Sequence, residues 1–301
     1  MIKYSVRPAA QKDIEAIYNL IARQRMLDFG NAMLSMEDLQ QRWDNTDLQN
    51  DTLIAFSNGA LAGYAELVGG DAPFIYLANR INVDLGSQLL KLLEQRALMR
   101  AKGTVQLATQ ISEKNQPLLQ LFASNGYTSK LSFLIMELTL TEPPARPDWT
   151  AGIRVRTFDR GMDERITYQA DEEASKDKGY HNPLQYEEWV ERMGMKRAGF
   201  DPAIWFLACA GSEVVGVALN THDRNPETVW VDHLGVKREW RQKGIGKSLL
   251  LHSFAEFYRR GLRTVKLSVD SKSLTNAPRL YEGVGMKVVQ QYHICKKELQ
   301  M

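Results

Sequence analysis

Short apolar runs alternate with amphipathic stretches along both halves of the chain. In the second half, extended patterns predict strands at 153–157, 205–210, 213–221, 228–236, 264–269 and 287–296. Helical spacing of apolar positions predicts helices at 183–198, 247–260 and 275–283. Strands that alternate with helices are typical of an α/β or mixed-sheet domain, in which helices flank a central mixed β-sheet.

The same order of elements occurs twice. Residues 53–65 align without gaps on residues 206–218, and both segments have the strand, polar turn and strand of a hairpin. Three further matches keep the same order at offsets of 149 to 160 residues: Val6–Pro8 with Val155–Thr157, Gly86–Leu90 with Gly246–Leu250, and Leu121–Tyr127 with Leu280–Met286. Four weak matches in one order predict two copies of one fold.

A proline-rich stretch separates the two copies. Pro143, Pro144 and Pro147 lie in a polar run, and proline removes backbone donors and favours extended conformations in the residue before it. We expect a linker at 141–151, between domains at 1–140 and 152–301.

Charge and cysteine content limit the classes of partner that we expect for the chain. Thirty-eight basic and 36 acidic side chains give a net charge of +2, too balanced to attract a polyanion through bulk charge. Two cysteines cannot form a disulfide framework, and the sequence shows neither a signal peptide nor a long apolar span. These features predict a cytoplasmic protein without a membrane or nucleic-acid partner.

The window with the strongest chemical pattern is a strand, 229–236, that leads into a basic loop and an amphipathic helix. Gly244 and Gly246 stand where the loop becomes the helix. Glycine lets the backbone approach a ligand closely, and the free N–H groups at a helix N-terminus attract phosphate. The window therefore predicts a cradle for a pyrophosphate.

The same window has three alternative interpretations. A Walker A loop requires glycine where this chain has Arg241, and a Rossmann fingerprint requires a small residue where Leu249 stands. The third alternative is a strand-to-helix turn whose basic residues form a solvated face.

The following fifty residues favour the cradle. Arg241-x-x-Gly244-x-Gly246, then a strand ending at Val269 and the run Asn276–Met286, resemble the GCN5-related N-acetyltransferase superfamily over about 153–299. With the degenerate first copy, the whole chain resembles tandem acetyltransferases, a group that includes mycothiol synthase. The resemblance implies two tandem domains of the acyl-CoA N-acyltransferase fold and acetyl-CoA as acetyl donor, with no metal.

The resemblance also implies roles for individual residues. The strand residues Leu234, Gly235 and Val236 would offer backbone groups to the pantetheine arm of acetyl-CoA. Asn276 would contact the same arm, and Tyr281 would stand beside the thioester sulfur. The pyrophosphate would be held by the loop and the first helical turn, which comprise Arg241, Gln242, Lys243, Gly244, Ile245, Gly246, Lys247 and Ser248.

Acetyl transfer to an amine requires a proton donor for the departing thiolate and an acceptor for the amine proton. A phenol with a pKa of about 10 can protonate a thiolate whose acid has a pKa of about 8.5, which makes Tyr281 the predicted general acid. The resemblance implies that the position of Asp232 points into the acceptor cleft, so Asp232 is the preferred general base. His233 is the second choice, since imidazole titrates near neutrality. The main alternative to both is deprotonation by ordered water. Strand alternation predicts that these two side chains lie on opposite faces.

The first copy departs from this pattern. Aligning Gly86 with Gly246 places Ile81 at the position of Arg241, Asp84 at that of Gly244 and Phe122 at that of Tyr281. A carboxylate in the cradle repels phosphate, and phenylalanine has no proton to donate. We expect the first copy to be catalytically silent.

The acceptor is less constrained by the sequence. Residues 168–200 are rich in carboxylates and aromatics, which suit a cationic amine or form a solvated helix face. The predicted activity is transfer of acetyl to a primary amine of a small molecule by direct attack in the second domain of a monomer or homodimer. The alternatives are a non-catalytic CoA-binding regulatory or scaffolding module and a protein or peptide N-acetyltransferase.

Overall fold

A computed structural model describes residues 4–30, 34–101, 103–223 and 225–300. The chain divides into two compact units, the first comprising Met1–Ser132 with Gln290–Met301 and the second comprising Phe133–Val289. In the described ranges, no helix is both long enough and apolar enough to cross a membrane.

The first unit carries two sheet segments. Its elements are β1 (Ser5–Arg7), α1 (Ile14–Phe29), α2 (Met36–Asp44), α3 (Leu48–Asp51), β2 (Thr52–Ser57), β3 (Ala60–Val68), β4 (Ala72–Leu77), α4 (Val83–Ala101), β5 (Thr104–Ser112), α5 (Gln116–Ser124) and the first part of β6 (Thr128–Thr139). The order β1-β2-β3-β4 is antiparallel throughout. Strand β5 does not belong to this sheet and pairs with the C-terminal end of the chain.

The second unit contains the remainder of β6 and the catalytic candidates. Its further elements are β7 (Ile153–Thr157), α6 (Glu164–Ser175), α7 (Tyr186–Arg192), β8 (Phe206–Ala210), β9 (Glu213–His222), β10 (Thr228–Val236), α8 (Ile245–Arg259), β11 (Thr264–Asp270), α9 (Ala277–Glu282) and the start of β12 (Lys287–Gln300). The strand order β6-β11-β10-β9-β8-β7 contains one parallel pair, β10 with β11. The mixed α/β fold class is confirmed.

Two strand segments belong to a different unit from the one in which the sequence placed them. Residues 133–139 of β6 pair antiparallel with β11 in the second unit, although the sequence placed them in the first domain. Residues 292–300 of β12 pair with β5 in the first unit, where Cys295 joins the buried core and Lys297 binds Glu94 at 2.8 Å. Residues 140–152 contain neither helix nor strand, and the predicted linker lies among them.

The repeated hairpins have the geometry that their turn residues require. Asn58 and Gly59 both adopt positive φ, 49° and 77°, as a two-residue type I′ turn between β2 and β3 demands. In the second hairpin, between β8 and β9, Gly211 has φ 60°.

A pair of a partly exposed arginine and a buried aspartate also occurs in each copy. Arg7 donates two hydrogen bonds of 2.7 Å to Asp13, and Arg156 binds both oxygens of Asp163. In each pair the aspartate also accepts a backbone N–H, from Ala10 or Asp159. The same device at the start of both copies agrees with one fold repeated twice.

Helix α7 is shorter than the predicted helix over 183–198. Only Tyr186–Arg192 are helical, and Gly194 adopts φ 64°, a left-handed conformation that ends a helix. Trp189 of this helix is fully enclosed in the core of the second unit.

Candidate active site

The site is built where two central strands of the second unit separate. Strands β10 and β11 pair in parallel only through Thr228, Val229 and Trp230 of β10 in the described chain. The rest of β10, through Val236, continues to pair with β9 on its other side. Leu234, Gly235 and Val236 therefore have one backbone edge in the sheet and the other facing the opening, as a bound arm of a cofactor requires.

A β-bulge at Asp232 changes which side chains face this opening. Val231 pairs with Asn220 and His233 pairs with Leu219, which leaves Asp232 as the extra residue. The Asp232 carboxylate accepts a hydrogen bond from the hydroxyl of Thr221. Because Leu219 and Thr221 are two residues apart on one strand, Asp232 and His233 lie on the same face. The predicted placement on opposite faces is wrong, because the inserted residue shifts the alternation.

Each of these two side chains has its own polar partner. Nδ1 of His233 lies 3.0 Å from Oδ1 of Asp171, a residue of α6. Protein atoms around Asp232 displace water from its carboxylate and raise its pKa, although part of the side chain is exposed.

The basic loop after β10 forms a cradle of backbone groups. Gln242 and Gly244 both adopt positive φ, 61° and 77°, and α8 starts at Ile245. Gly244 occupies the N-cap position, where no side chain satisfies the first N–H groups of the helix. A Cβ on Gly246 would meet side-chain atoms only at 3.5 Å or more, so its lack of one leaves room above the helix start. Open N–H groups at a helix start suit an anion.

The Arg241 side chain does not point into this cradle. Its Nε donates to the carbonyl of Val236 at 3.0 Å, its Nη2 donates to the carbonyl of Ala174 at 3.1 Å, and its Nη1 lies 2.5 Å from Oδ2 of Asp177. Asp177 also binds Arg238, and the two guanidinium groups, Arg238 first, lower its pKa to about 2. Arg241 therefore ties the end of α6 to the end of β10, while the backbone of the loop stays available to a ligand.

Two predicted cradle residues have distinct environments. Lys247 is exposed, so its ammonium can reach a phosphate. Ser248 is buried and donates its hydroxyl to the carbonyl of Asp148, in the linker, at 2.5 Å. The exposed Lys243 lies over the Trp240 ring, 4.5 Å from its centroid.

A cavity of about 590 Å³ adjoins the start of α8. Gly244, Lys247 and Ser248 line one side of it, and Gly283 and Val284, just after α9, line another. The linker forms a further wall through Thr141–Arg146 and Asp148. The cavity therefore extends the cradle along the surface of the same unit.

Tyr281 is placed in α9 on the core side of this region. Its side chain is 8% exposed, and burial, reinforced by the nearby Tyr180, raises the pKa of its phenol above the ordinary value. The phenol consequently keeps its proton at neutral pH. Asn276 precedes α9 in a left-handed conformation with φ 55°, and its side chain makes no capping bond to the helix.

The carboxylates of residues 168–200 are largely engaged by the protein itself. Asp171 binds His233, Asp177 binds two arginines, Glu172 binds His181, Glu173 lies 3.6 Å from Lys237, and Glu191 lies 3.9 Å from Lys196. Glu188 accepts the backbone N–H of Gln185 as part of a helix cap. These contacts leave fewer acidic groups for a cationic acceptor than the sequence suggested.

Sequence reasoning missed the supporting residues that α6 supplies. Asp171 and Ala174 were not singled out for the roles that they have beside His233 and Arg241. Each lies about 60 residues before its partner, and no local spacing signals such a contact. The bulge at Asp232 likewise has no signature in the strand pattern.

Comparisons with known proteins show which family the chain resembles. Residues 166–286 match the acetyltransferase (GNAT) family. The mycothiol acetyltransferase of Thermobispora bispora is 32% identical over 171 residues, which are 55% of this chain and 57% of that protein. The mycothiol acetyltransferase of Geodermatophilus obscurus is 29% identical over 255 residues, 78% of each chain.

Solved structures extend the similarity to the whole chain. A tandem GNAT protein from the clavulanic acid biosynthesis pathway has a TM-score of 0.68 at 13% identity and covers 98% of each chain, which shows a shared fold. The GCN5-related N-acetyltransferase from Sphaerobacter thermophilus is 32% identical with a TM-score of 0.82, covering 99% of this chain and 96% of that one. The chain belongs to the GCN5-related N-acetyltransferase family and is an acetyl-CoA-dependent N-acetyltransferase.

Proposed function

We propose that the second unit binds acetyl-CoA and transfers its acetyl group to a primary amine of a small molecule. The observation that carries this proposal is the position of the uncapped start of α8, with Gly244 at its N-cap, directly after the splayed part of β10. A pyrophosphate at the helix start and an extended arm along β10 fit this arrangement. Lys247 and the backbone of 241–246 hold the pyrophosphate, and the adjoining cavity takes the nucleotide end.

The chemistry assigned to the chain is direct attack. The amine nitrogen attacks the thioester carbonyl carbon, the carbon–sulfur bond breaks and the sulfur leaves as a thiolate. Tyr281 donates its proton to that thiolate, because burial keeps its phenol protonated. A backbone N–H on the open edge of β10 stabilises the charge that develops on the carbonyl oxygen. The amine proton passes to one of the groups that the bulge places on one face, Asp232 or His233.

The names of the relatives support a small acceptor. Proteins called mycothiol acetyltransferase cover most of this chain at identities of 27% to 29%. We propose a small polar amine of that kind as the acceptor. Acetylation of a protein or peptide and a non-catalytic CoA-binding role are the outcomes against which the proposal is tested.

A single substitution in the cradle tests cofactor binding. Gly244→Asp places a carboxylate and a Cβ where the helix start meets the pyrophosphate, and φ 77° disfavours any side chain. We expect acetyl-CoA to raise the melting temperature of the parent protein and to leave that of the variant unchanged. Gly152→Asp is the matched control, because Gly152 has φ 84°, open space around it and a place outside the cradle.

Turnover is then measured by release of free CoA with a panel of small amines and with peptides carrying a free N-terminus. Release with small amines alone supports the proposal. Release with peptides alone makes the chain a peptide acetyltransferase, and cofactor binding without release makes it a CoA-binding module. A parent protein that acetyl-CoA does not stabilise contradicts the assigned site.

A further inference from the structure

Three side chains of the second unit form a chain of hydrogen bonds that ends at the face of β10 beside the cleft. Asp171 lies on α6 and is 2% exposed. Its Oδ2 accepts a hydrogen bond of 2.9 Å from Nε1 of Trp189, which is completely buried. Both carboxylate oxygens lie close to Nδ1 of His233, at 3.0 Å and 2.9 Å. The carboxylate therefore has fixed partners on both sides.

This arrangement determines where the imidazole carries its proton. Burial alone would raise the pKa of Asp171, but the charge and hydrogen bonds of His233 and the hydrogen bond of Trp189 hold it below its ordinary value. An ionised carboxylate only accepts hydrogen bonds, so Nδ1 of His233 must donate. In the neutral ring, the lone pair then belongs to Nε2.

The position of His233 makes that lone pair useful. His233 follows Trp230, the last β10 residue paired with β11, by three residues, so it belongs to the splayed stretch. Its side chain is 22% exposed. Within the described residues no side chain binds Nε2. The neighbouring Asp232 carboxylate, by contrast, already accepts the hydroxyl of Thr221.

We propose that His233 accepts the amine proton at Nε2 during acetyl transfer, and that Asp171, held by Trp189, is the positioning residue that sets its tautomer. This inference rests on the proposed acetyltransferase function of the second unit. The new nitrogen–carbon bond forms as the amine proton moves to Nε2, and the thiolate takes the proton of Tyr281. Exchange with solvent returns both side chains to their starting states.

The charged groups around the ring belong to three parts of the unit. Asp171 faces the ring from α6, Asp232 adjoins it on β10, and Lys178 and Arg197 lie in the loops that follow α6 and α7, close to these two carboxylates. Removing the Asp171 charge takes away the acceptor that holds the proton on Nδ1 of His233.

The first test needs no acceptor. Spectra of ¹⁵N-histidine-labelled protein report the tautomer of each of the five histidines, and loss of one signal set in His233→Gln assigns this ring. We expect the tautomer with the proton on Nδ1 in the parent and a mixture of tautomers in Asp171→Asn. A parent ring protonated at Nε2 overturns the proposed positioning.

The second test uses acetyl transfer to the best amine of the panel. His233→Gln should lower kcat about 100-fold, the lower end for loss of general base catalysis, without changing the acetyl-CoA affinity. Asp171→Asn should lower kcat and give a mixture of His233 tautomers, and Trp189→Phe should do the same more weakly. His222→Gln is the matched control, because His222 also contacts an aspartate, Asp201 at 3.2 Å, but lies on β9.

Asp232→Asn separates the two candidate bases. We expect it to lower kcat less than His233→Gln does, because the proton acceptor of the proposal remains in place. A large loss in Asp232→Asn with a small one in His233→Gln overturns the inference and leaves the acetyl transfer intact. A parent without turnover of any amine overturns the proposed function, while the tautomer still decides the role of Asp171.

Discussion

The two copies of the fold differ most at the cleft where a cofactor would enter. In the first unit, Oε1 of Gln24 on α1 accepts the backbone N–H of Leu77 at 3.2 Å, at the end of β4. Ala174 lies 150 residues after Gln24, close to the 149 and 150 residues that separate the Arg–Asp pairs. Its methyl side chain lies against Gly235 of β10 and has no atom that can accept a hydrogen bond. The first copy therefore has a side chain that binds the strand end, and the second copy has one that cannot.

A second set of contacts reinforces the difference. In the first unit, the buried Asp28 binds Arg80 and accepts a hydrogen bond of 2.9 Å from the side-chain amide of Asn115. Asn115 precedes α5 as Asn276 precedes α9. Burial, only partly offset by Asn115 and Arg80, raises the pKa of Asp28. Asn82 also caps the start of α4 by accepting the N–H of Leu85 at 3.2 Å. In the first copy, the backbone N–H groups of Leu77 and Leu85 and the amide of Asn115 are therefore bound by side chains of that copy.

The comparison predicts that the first copy keeps the framework and does not bind the cofactor, as we also expect from Asp84 and Phe122 in the sequence. In the first copy Gln24 accepts the backbone N–H of Leu77, and Asp28 accepts the side-chain amide of Asn115. A few polar side chains therefore distinguish two copies of one framework.

The largest expected effect comes from giving the second copy the aromatic residue of the first. Tyr281→Phe removes the phenol proton and keeps the buried ring, as at Phe122 in the first copy. We expect kcat to fall about 100-fold with little change in stability, because loss of a general acid costs about that much. CoA release measured against pH checks it, and in the parent the activity should persist above the usual tyrosine range, since the phenol pKa is raised.

Tyr258→Phe serves as its control, because Tyr258 lies on α8, with Arg263 over its ring. Equal turnover by Tyr281→Phe and the parent removes Tyr281 from the mechanism. That result would not contradict the proposed cofactor site.

A smaller effect is expected from giving the second copy, at Ala174, the glutamine that the first copy has at Gln24. Ala174→Gln brings an amide to the end of β10, beside Gly235, where an added Cβ would lie 2.8 Å from the Ala174 methyl. We expect acetyl-CoA to bind about tenfold more weakly, a change of about 1.4 kcal/mol. Isothermal titration with acetyl-CoA measures it, with Ala174→Ser as the small polar control. Unchanged affinity in a folded Ala174→Gln protein would mean that Gln24 is not what closes the first cleft.

The sequence predicted the features that repeat or that depend on local residue types. The hairpin of β8 and β9, the glycine turn before α8 and the strand β10 are found where the pattern placed them. Each depends on nearby residues, such as Gly244 at a position that requires positive φ. The doubled fold followed from the recurrence of such local signals.

Features set by distant contacts could not be predicted. Strand β6 pairs with β11, and β12 pairs with β5. Nothing in the sequence of these strands indicates which partner each one has. The inserted Asp232 changes the side-chain alternation, and Asp171 reaches His233 from another element. One extra residue in a strand is enough to place both candidate bases on one face.

The smallest expected effect concerns the Arg–Asp pair that both copies contain. Asp13 and Asp163 each bind an arginine and a backbone N–H, and these bonds, led by those of Arg7 and Arg156, lower their pKa values. A carboxylate with a depressed folded-state pKa stabilises the fold above its unfolded pKa and loses this effect as pH falls. Asp13→Asn and Asp163→Asn should each cost about 1–3 kcal/mol at pH 7, as expected for bonds to a charged group. Urea unfolding should show the difference from the parent shrinking as the pH falls below the ordinary aspartate value of about 3.9. A loss in only one variant would show that the copies differ in their framework as well as in their clefts.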